Sequence, residues 1–205
     1  IEIFNNFRSL NKIRITFEEF RECIHKHICI FSKIMKQELI IPDFDYFSST
    51  IESIYDITKG QNNGNVADYI PQLKRVNPNQ YGISVCTIDG QRLNIGDTKV
   101  DFSVQSCCKP INYGIALEEL NEKNVHTYVG REPSGKSFNE LTLNKEGKPH
   151  NPLINSGAIM TSSLIKNNLS LAERFEYIMN VWSKLSGGIY KIGFSNPVYL
   201  SEKAT

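Results

Sequence analysis

Along the first third of the chain, apolar side chains return at helical spacing. Phe17, Phe20, Ile24, Ile28, Phe31 and Met35 follow one another at intervals of three and four. Thr16 and Glu19 form a capping-box pattern in front of them. This predicts one helix of about 20 residues from Thr16 towards Leu39, stopped by Pro42. A second helix is expected over residues 47–58, ending before Gly60. The polar run Gln61-Asn62-Asn63-Gly64-Asn65 then reads as a domain boundary. Residues 1–62 are therefore expected to form a small helical module. Its arrangement is EF-hand-like, but it lacks the acidic, glycine-containing loop that calcium requires.

The period changes beyond that loop. Ile83-Ser84-Val85-Cys86-Thr87 alternates as a strand does, Asp89-Gly90 is a hairpin turn, and residues 92–95 can pair back. A third extended segment is expected over residues 100–104. Ile111, Ile115 and Leu120 predict a helix from Ser106 to about residue 122, and another is expected over 158–165. A last helix starts at Ser170 with Glu173 as its capping partner. It should bury Phe175, Ile178, Met179, Trp182 and Leu185, and Gly187-Gly188 should end it. Helices and a small antiparallel sheet in this order give an α+β chain, with a second domain over residues 63–205.

Composition narrows the function classes. With 40% hydrophobic and 22% charged residues among 205, the chain can bury a core and reads as an ordinary globular protein. A formal charge of +1 leaves no electrostatic footprint for nucleic acid or an anionic membrane. Apolar runs are interrupted by Lys, Glu or His well before the length of a membrane span. Five cysteines, an odd number without a secreted-scaffold spacing, fit a reducing compartment. The chain starts at Ile1 without a targeting segment and ends at Thr205 without a stop signal, which is the expectation for a piece of a longer protein.

Candidate chemistry centres on Gln105-Ser106-Cys107-Cys108-Lys109-Pro110. If Ser106 opens a helix, Lys109 shares its face, and the amine can take the proton that makes the hydroxyl nucleophilic. The helix N-terminus favours the negative charge that develops. S-x-x-K arises by chance about once per 200 residues, and Ser9/Lys12 and Ser163/Lys166 repeat it. Only Ser106/Lys109 follows an extended segment and begins a helix. Gly130-Arg131-Glu132-Pro133-Ser134-Gly135-Lys136-Ser137 is a formal match to the phosphate-cradling loop and offers nucleotide binding as an alternative function. That chemistry needs a preceding strand, a following helix and a metal-holding aspartate, and no aspartate follows Asp101. Cys23, His25, His27 and Cys29 alternate like metal ligands, but on a helix they split into two i,i+4 pairs, neither of which completes a zinc site. A non-catalytic assembly role for the helical module is the remaining alternative.

Around Ser106 the chain resembles the serine-dependent glutaminases of the animal kidney/liver type. The resemblance rests on Val66-Ala67-Asp68-Tyr69-Ile70-Pro71-Gln72-Leu73, residues 85–92, Gly96-Asp97-Thr98-Lys99 and residues 105–110. It continues through Lys148-Pro149-His150-Asn151-Pro152 to Asn155-Ser156-Gly157-Ala158-Ile159, and closes on residues 193–196 and Ser201-Glu202. It implies a β-lactamase/penicillin-binding-protein-like domain, of which residues 63–205 would be the N-terminal part. It further implies hydrolysis of L-glutamine to glutamate and ammonia through a glutamyl-enzyme ester. Ser106 would be the nucleophile, with its backbone N–H in an oxyanion hole, and Lys109 its base. Tyr69, Asn155 and Glu202 would line the glutamine site with Ser106. No cofactor and no metal are implied.

Inorganic phosphate enters as an activator, through a gating loop that matches residues 130–144. Glu140 and Thr142 depart from the lysine and phenylalanine of the animal enzymes. Tetramers and a mitochondrial setting, with the cytoplasm as the other compartment, are family expectations. The family continues past Glu202 with further tyrosines and a Lys-Ser-Gly strand, so this chain alone is expected to lack substantial activity.

Overall fold

The computed structural model describes residues 2–188 and 192–204. They form nine α-helices and one two-stranded antiparallel sheet, divided into two compact units, Ile1–Asp101 and Phe102–Thr205.

In the first unit, α1 (Glu2–Ser9) occupies a stretch whose polar sequence predicted no helix. Phe7 of α1 packs on Phe20, which meets Phe31 edge-on at 5.8 Å. The long helix expected from Thr16 is broken into α2 (Phe17–Ile24), a 3-10 turn (His25–His27) and α3 (Ile28–Met35). The capping box at Thr16 is present, with Thr16 Oγ1 accepting from the Glu19 N–H. The break has a local cause. His25 Nδ1 lies 2.7 Å from the Glu22 carbonyl, competing with the helical bond that carbonyl would accept, and His27 leaves helical geometry at φ −122°, ψ 18°. The change of direction spoils the apolar stripe, so Phe17, Ile28 and Met35 stay exposed while Cys23 and Ile24 are buried.

Asp43 caps α4 (Phe44–Thr58), three residues earlier than the pattern suggested. Pro71 opens the short α5 (Pro71–Lys74) directly after the buried Ile70. Strands β1 (Gly82–Cys86) and β2 (Arg92–Gly96) pair in the expected hairpin, with Gly82 opposite Gly96 and Cys86 opposite Arg92. Gly90 takes the left-handed turn at φ +91°. The hairpin tip grips the chain before α4: Ile40 N–H donates to the Asp89 carboxylate at 2.7 Å, and the Gln91 amide bonds Ile41 through both its oxygen and its nitrogen. Tyr55 of α4 stacks on Tyr81 at 5.2 Å beside β2. Residues 100–104, expected as a third strand, form no ladder.

In the second unit a 3-10 turn (Gln105–Cys107) leads into α6 (Cys108–Val125). The helix kinks where Asn121 adopts φ +62°, and Asn121 Oδ1 accepts from the Asn124 N–H to restart it. Helix α6 packs on α7 (Asn155–Leu164) and α8 (Leu171–Leu185) around Ile115, Ala116, Val125 and Ile165. The Ser170–Glu173 capping box starts α8 as expected, and Gly188 N–H closes it on the Ser183 carbonyl.

The buried face of α8 differs from the expected one. Tyr177, Ile178, Val181 and Trp182 meet the core, while Phe175 and Leu185 are exposed. Phe175 turns edge-on to Phe194 at 5.0 Å instead, at the start of α9 (Asn196–Ala204), and Leu185 lies in the last turn beyond the packed stretch.

Polar contacts fix α7 and α8 to α6. Trp182 Nε1 donates to Asn112, Tyr177 donates its hydroxyl proton to Glu119, and Lys166 sits 3.1 Å from the same carboxylate. Arg174 donates to the carbonyls of Ser162, Ser163 and Ile165, satisfying acceptors at the end of α7.

Candidate active site

Ser106 sits in the middle of the 3-10 turn, exposed, immediately before α6. Gln105 reaches it with φ +49°, a left-handed conformation that a residue with a side chain rarely holds. Lys109 lies in the first turn of α6. Pro110 follows it there, where a missing N–H costs nothing because the first helical donors have no intrahelical partner.

The Lys109 amine donates to Asn155 Oδ1 at 2.6 Å. Asn155 is the first residue of α7, so this bond joins the N-terminal turns of two helices. Both helix ends carry partial positive charge, and a negative charge forming beside them is stabilised. Burial pushes the pKa of the neighbouring Cys108 thiol up, against the opposing pull of Lys109.

The segment between α6 and α7 folds over the same place. Gly130 N–H and Glu132 N–H donate to the carbonyls of Pro149 and His150, and Leu143 bridges Pro149. Asn155 N–H donates to the Phe138 carbonyl at 3.0 Å, and the Phe138 ring lies 5.9 Å from Lys109 Nζ. Asn151 Oδ1 accepts from the N–H groups of Leu153 and Ile154, while its amide donates to the Glu132 carbonyl. Two glycines permit this fit: a Cβ on Gly130 would lie 2.5 Å from the His150 carbonyl oxygen, and one on Gly157 only 1.8 Å from that of Asn151.

The structure therefore brings Lys109, three residues along the chain from Ser106, into contact with Asn155. Tyr69 is exposed in the first compact unit, before Ile70, and Glu202 is exposed on α9. Phe138, Asn151 and Gly157 were not picked out by sequence reasoning as supports of the site. Gly157, just before an expected helix, and the Asn-Pro pair at 151–152 carried the usual marks of a close approach and a turn. Phe138 lies within the loop 130–144 that the resemblance marked, but nothing in the sequence singled out that residue.

The competing motifs resolve differently. Ser9 Oγ donates to the Asn6 carbonyl, and Lys12 pairs with Glu19. Ser163 Oγ donates to the Met160 carbonyl, and Lys166 is engaged by Glu119. Gly130–Ser137 is preceded by the last turn of α6, not a strand, and no helix follows it before α7. Its context is not that of a phosphate-cradling loop. Cys23 is buried, Cys29 is exposed, and a 3-10 turn separates them. Among the described residues no helix is long and apolar enough to cross a membrane.

Comparison with known proteins gives the family. The Glutaminase family profile matches residues 64–205. Putative glutaminase 2 of Caenorhabditis elegans is 45% identical over 94% of the chain and 32% of its own length. The mitochondrial glutaminase liver isoform of Mus musculus is 43% identical over 92% of the chain and 31% of its own length. The solved structure of probable glutaminase ybaS superposes with a TM-score of 0.73 at 30% identity, covering 80% of this chain and 52% of that one. Native Mglu gives 0.68 at 33% identity, over 80% of this chain and 39% of its own. The chain thus spans about a third of the length of the curated relatives it matches, and its α+β arrangement is that of the solved glutaminases. A profile match over residues 64–205, seconded by animal relatives, makes this chain a member of the glutaminase family.

Proposed function

We propose that the chain carries the nucleophile half of a site that hydrolyses L-glutamine to L-glutamate and ammonia. The observation that supports it best is the 2.6 Å bond from Lys109 to Asn155, which fixes the lysine at the helix end that bears Ser106. In the first step Lys109 takes the Ser106 proton while Oγ bonds to the side-chain amide carbon of glutamine. The backbone N–H of Ser106 and the two helix N-termini stabilise the oxyanion. As the C–N bond breaks, Lys109 returns the proton to the leaving nitrogen and ammonia departs. Water then attacks the glutamyl ester, releasing glutamate and restoring the Ser106 hydroxyl.

Asn155 orients Lys109 through Oδ1, and its Nδ2 is a donor suited to the substrate. Tyr69 supplies a further hydrogen bond, and Glu202 offers a carboxylate to the α-ammonium of glutamine. These two assignments rest on the family resemblance. Activation by inorganic phosphate and tetrameric assembly belong to the same proposal and have the same support.

The 205 residues alone should release little ammonia, because the matched part of ybaS is 52% of that chain. The test is ammonia release from L-glutamine by the longest form of the protein that can be expressed. Ser106→Ala and Lys109→Met should each lower kcat by at least about a hundredfold with the fold intact. Unchanged turnover in either variant sinks the assignment.

A further inference from the structure

We infer that Phe138 is a positioning residue for Lys109, an inference that rests on the serine–lysine reading above and extends it to the loop. Lysine reaches its amine through four flexible bonds, so one hydrogen bond leaves the nitrogen free to swing about its acceptor. Lys109 Nζ is held from a second side by the Phe138 ring, 5.9 Å from nitrogen to centroid. The face of an aromatic ring attracts a lysine ammonium, and it also accepts an N–H of the neutral amine, so the ring orients the nitrogen in the form that acts as base.

The same residue also fixes the first anchor. Its carbonyl accepts the Asn155 N–H at 3.0 Å, and Asn155 Oδ1 is the acceptor for Lys109. Phe138, Asn155 and Lys109 thus form a closed set of three contacts that joins the loop, the start of α7 and the start of α6. The ring is 64% exposed, so burial does not account for its position over the amine. Its neighbours hold the backbone instead: Ser137 Oγ donates to the Asn139 side chain at 2.5 Å, and Glu140 N–H donates to the Ser137 carbonyl.

Phe138 does not touch the reacting atoms. Its effect passes through Lys109, narrowing the directions in which the amine faces the Ser106 hydroxyl. A side chain of similar size without a π face should loosen the amine, and another aromatic should restore it.

Proton NMR of the 205-residue chain reads the contact directly. The Lys109 ε-methylene protons, assigned by their loss in Lys109→Met, should be split and shifted upfield by the ring. Phe138→Leu should collapse them to the position of a free lysine while the backbone amide spectrum is retained, and Phe138→Tyr should keep the split. In parallel, the labelling of Ser106 by a small alkyl fluorophosphonate, followed by mass spectrometry, should slow about two- to fivefold in Phe138→Leu and recover in Phe138→Tyr. Lys109 resonances that are unsplit in the wild type, or unmoved by Phe138→Leu, overturn the inference. So does labelling that slows equally in the leucine and tyrosine variants. Labelling that survives Lys109→Met, when the parent chain shows the Phe138 signature, overturns the serine–lysine reading instead, so the two failures are distinguishable.

Discussion

At Gly157 an added Cβ would stand 1.8 Å from the Asn151 carbonyl oxygen and 2.7 Å from its carbon, both backbone atoms that cannot step aside. Gly157 lies two residues after Asn155, so any relief must move the turn of α7 that receives Lys109. Gly157→Ala is expected to destabilise the chain by about 3 kcal/mol or more, the upper end of what overpacking costs. Urea unfolding measures it, and a variant as stable as the parent would show that α7 yields easily. Tyr177 gives a pH-dependent counterpart. Its hydrogen bond to Glu119, then its burial, push its pKa up from 10.0 to about 12. Because the folded state holds this proton more tightly, the contribution is complete below pH 10 and is lost as pH rises towards 12. Tyr177→Phe should cost about 1 kcal/mol at pH 8, and the cost should shrink across that alkaline range. A difference that stays constant from pH 8 to 12 contradicts the assignment.

At the scale of elements, legibility followed locality. The capping boxes at Thr16 and Ser170, the Asp89-Gly90 turn and the double-glycine stop are short-range patterns, and each was readable in the sequence. The helix break at residues 25–27 was not, because it depends on a histidine ring competing for a backbone carbonyl within an unbroken apolar period. Helix α1 was hidden for the opposite reason: its partner, Phe20, lies outside the polar stretch. The expected strand over residues 100–104 has suitable β-branched and aromatic residues but no neighbour to pair with among the described residues. Ser170 tests the local rule. Its hydroxyl accepts the Glu173 N–H at the start of α8, so Ser170→Ala should cost about 1 kcal/mol in thermal or urea unfolding. A change below a few tenths would mean that Arg174 and the Tyr177 cluster hold this helix end without its cap.

At the scale of the whole molecule, the second compact unit is built around a buried cluster of its own residues. Ile165 is fully buried among Ile115, Ala116 and Val125 in the second. Ile165→Ala should cost about 2–5 kcal/mol. Native-state hydrogen exchange should show the loss in α6, α7 and α8, with slow exchange preserved in the β1–β2 hairpin. Uniform acceleration through residue 101 would mean that the chain unfolds as one cooperative body. The site was only partly legible at this scale. Ser106 and Lys109 lie three positions apart and share one turn, so sequence could pair them. Their link to Asn155 spans 46 positions, and its geometry required the packing of α6 on α7. The two other S-x-x-K copies show why spacing is not enough, since Glu19 and Glu119 engage their lysines.

The left-handed backbone at Gln105 bears on how this protein can vary. A position with φ +49° accepts glycine readily, asparagine and aspartate with modest strain, and β-branched residues hardly at all. The amino acid immediately before the nucleophile is therefore confined to a short alphabet by its own main chain. Mutational drift beside Ser106 should be narrow for that reason alone.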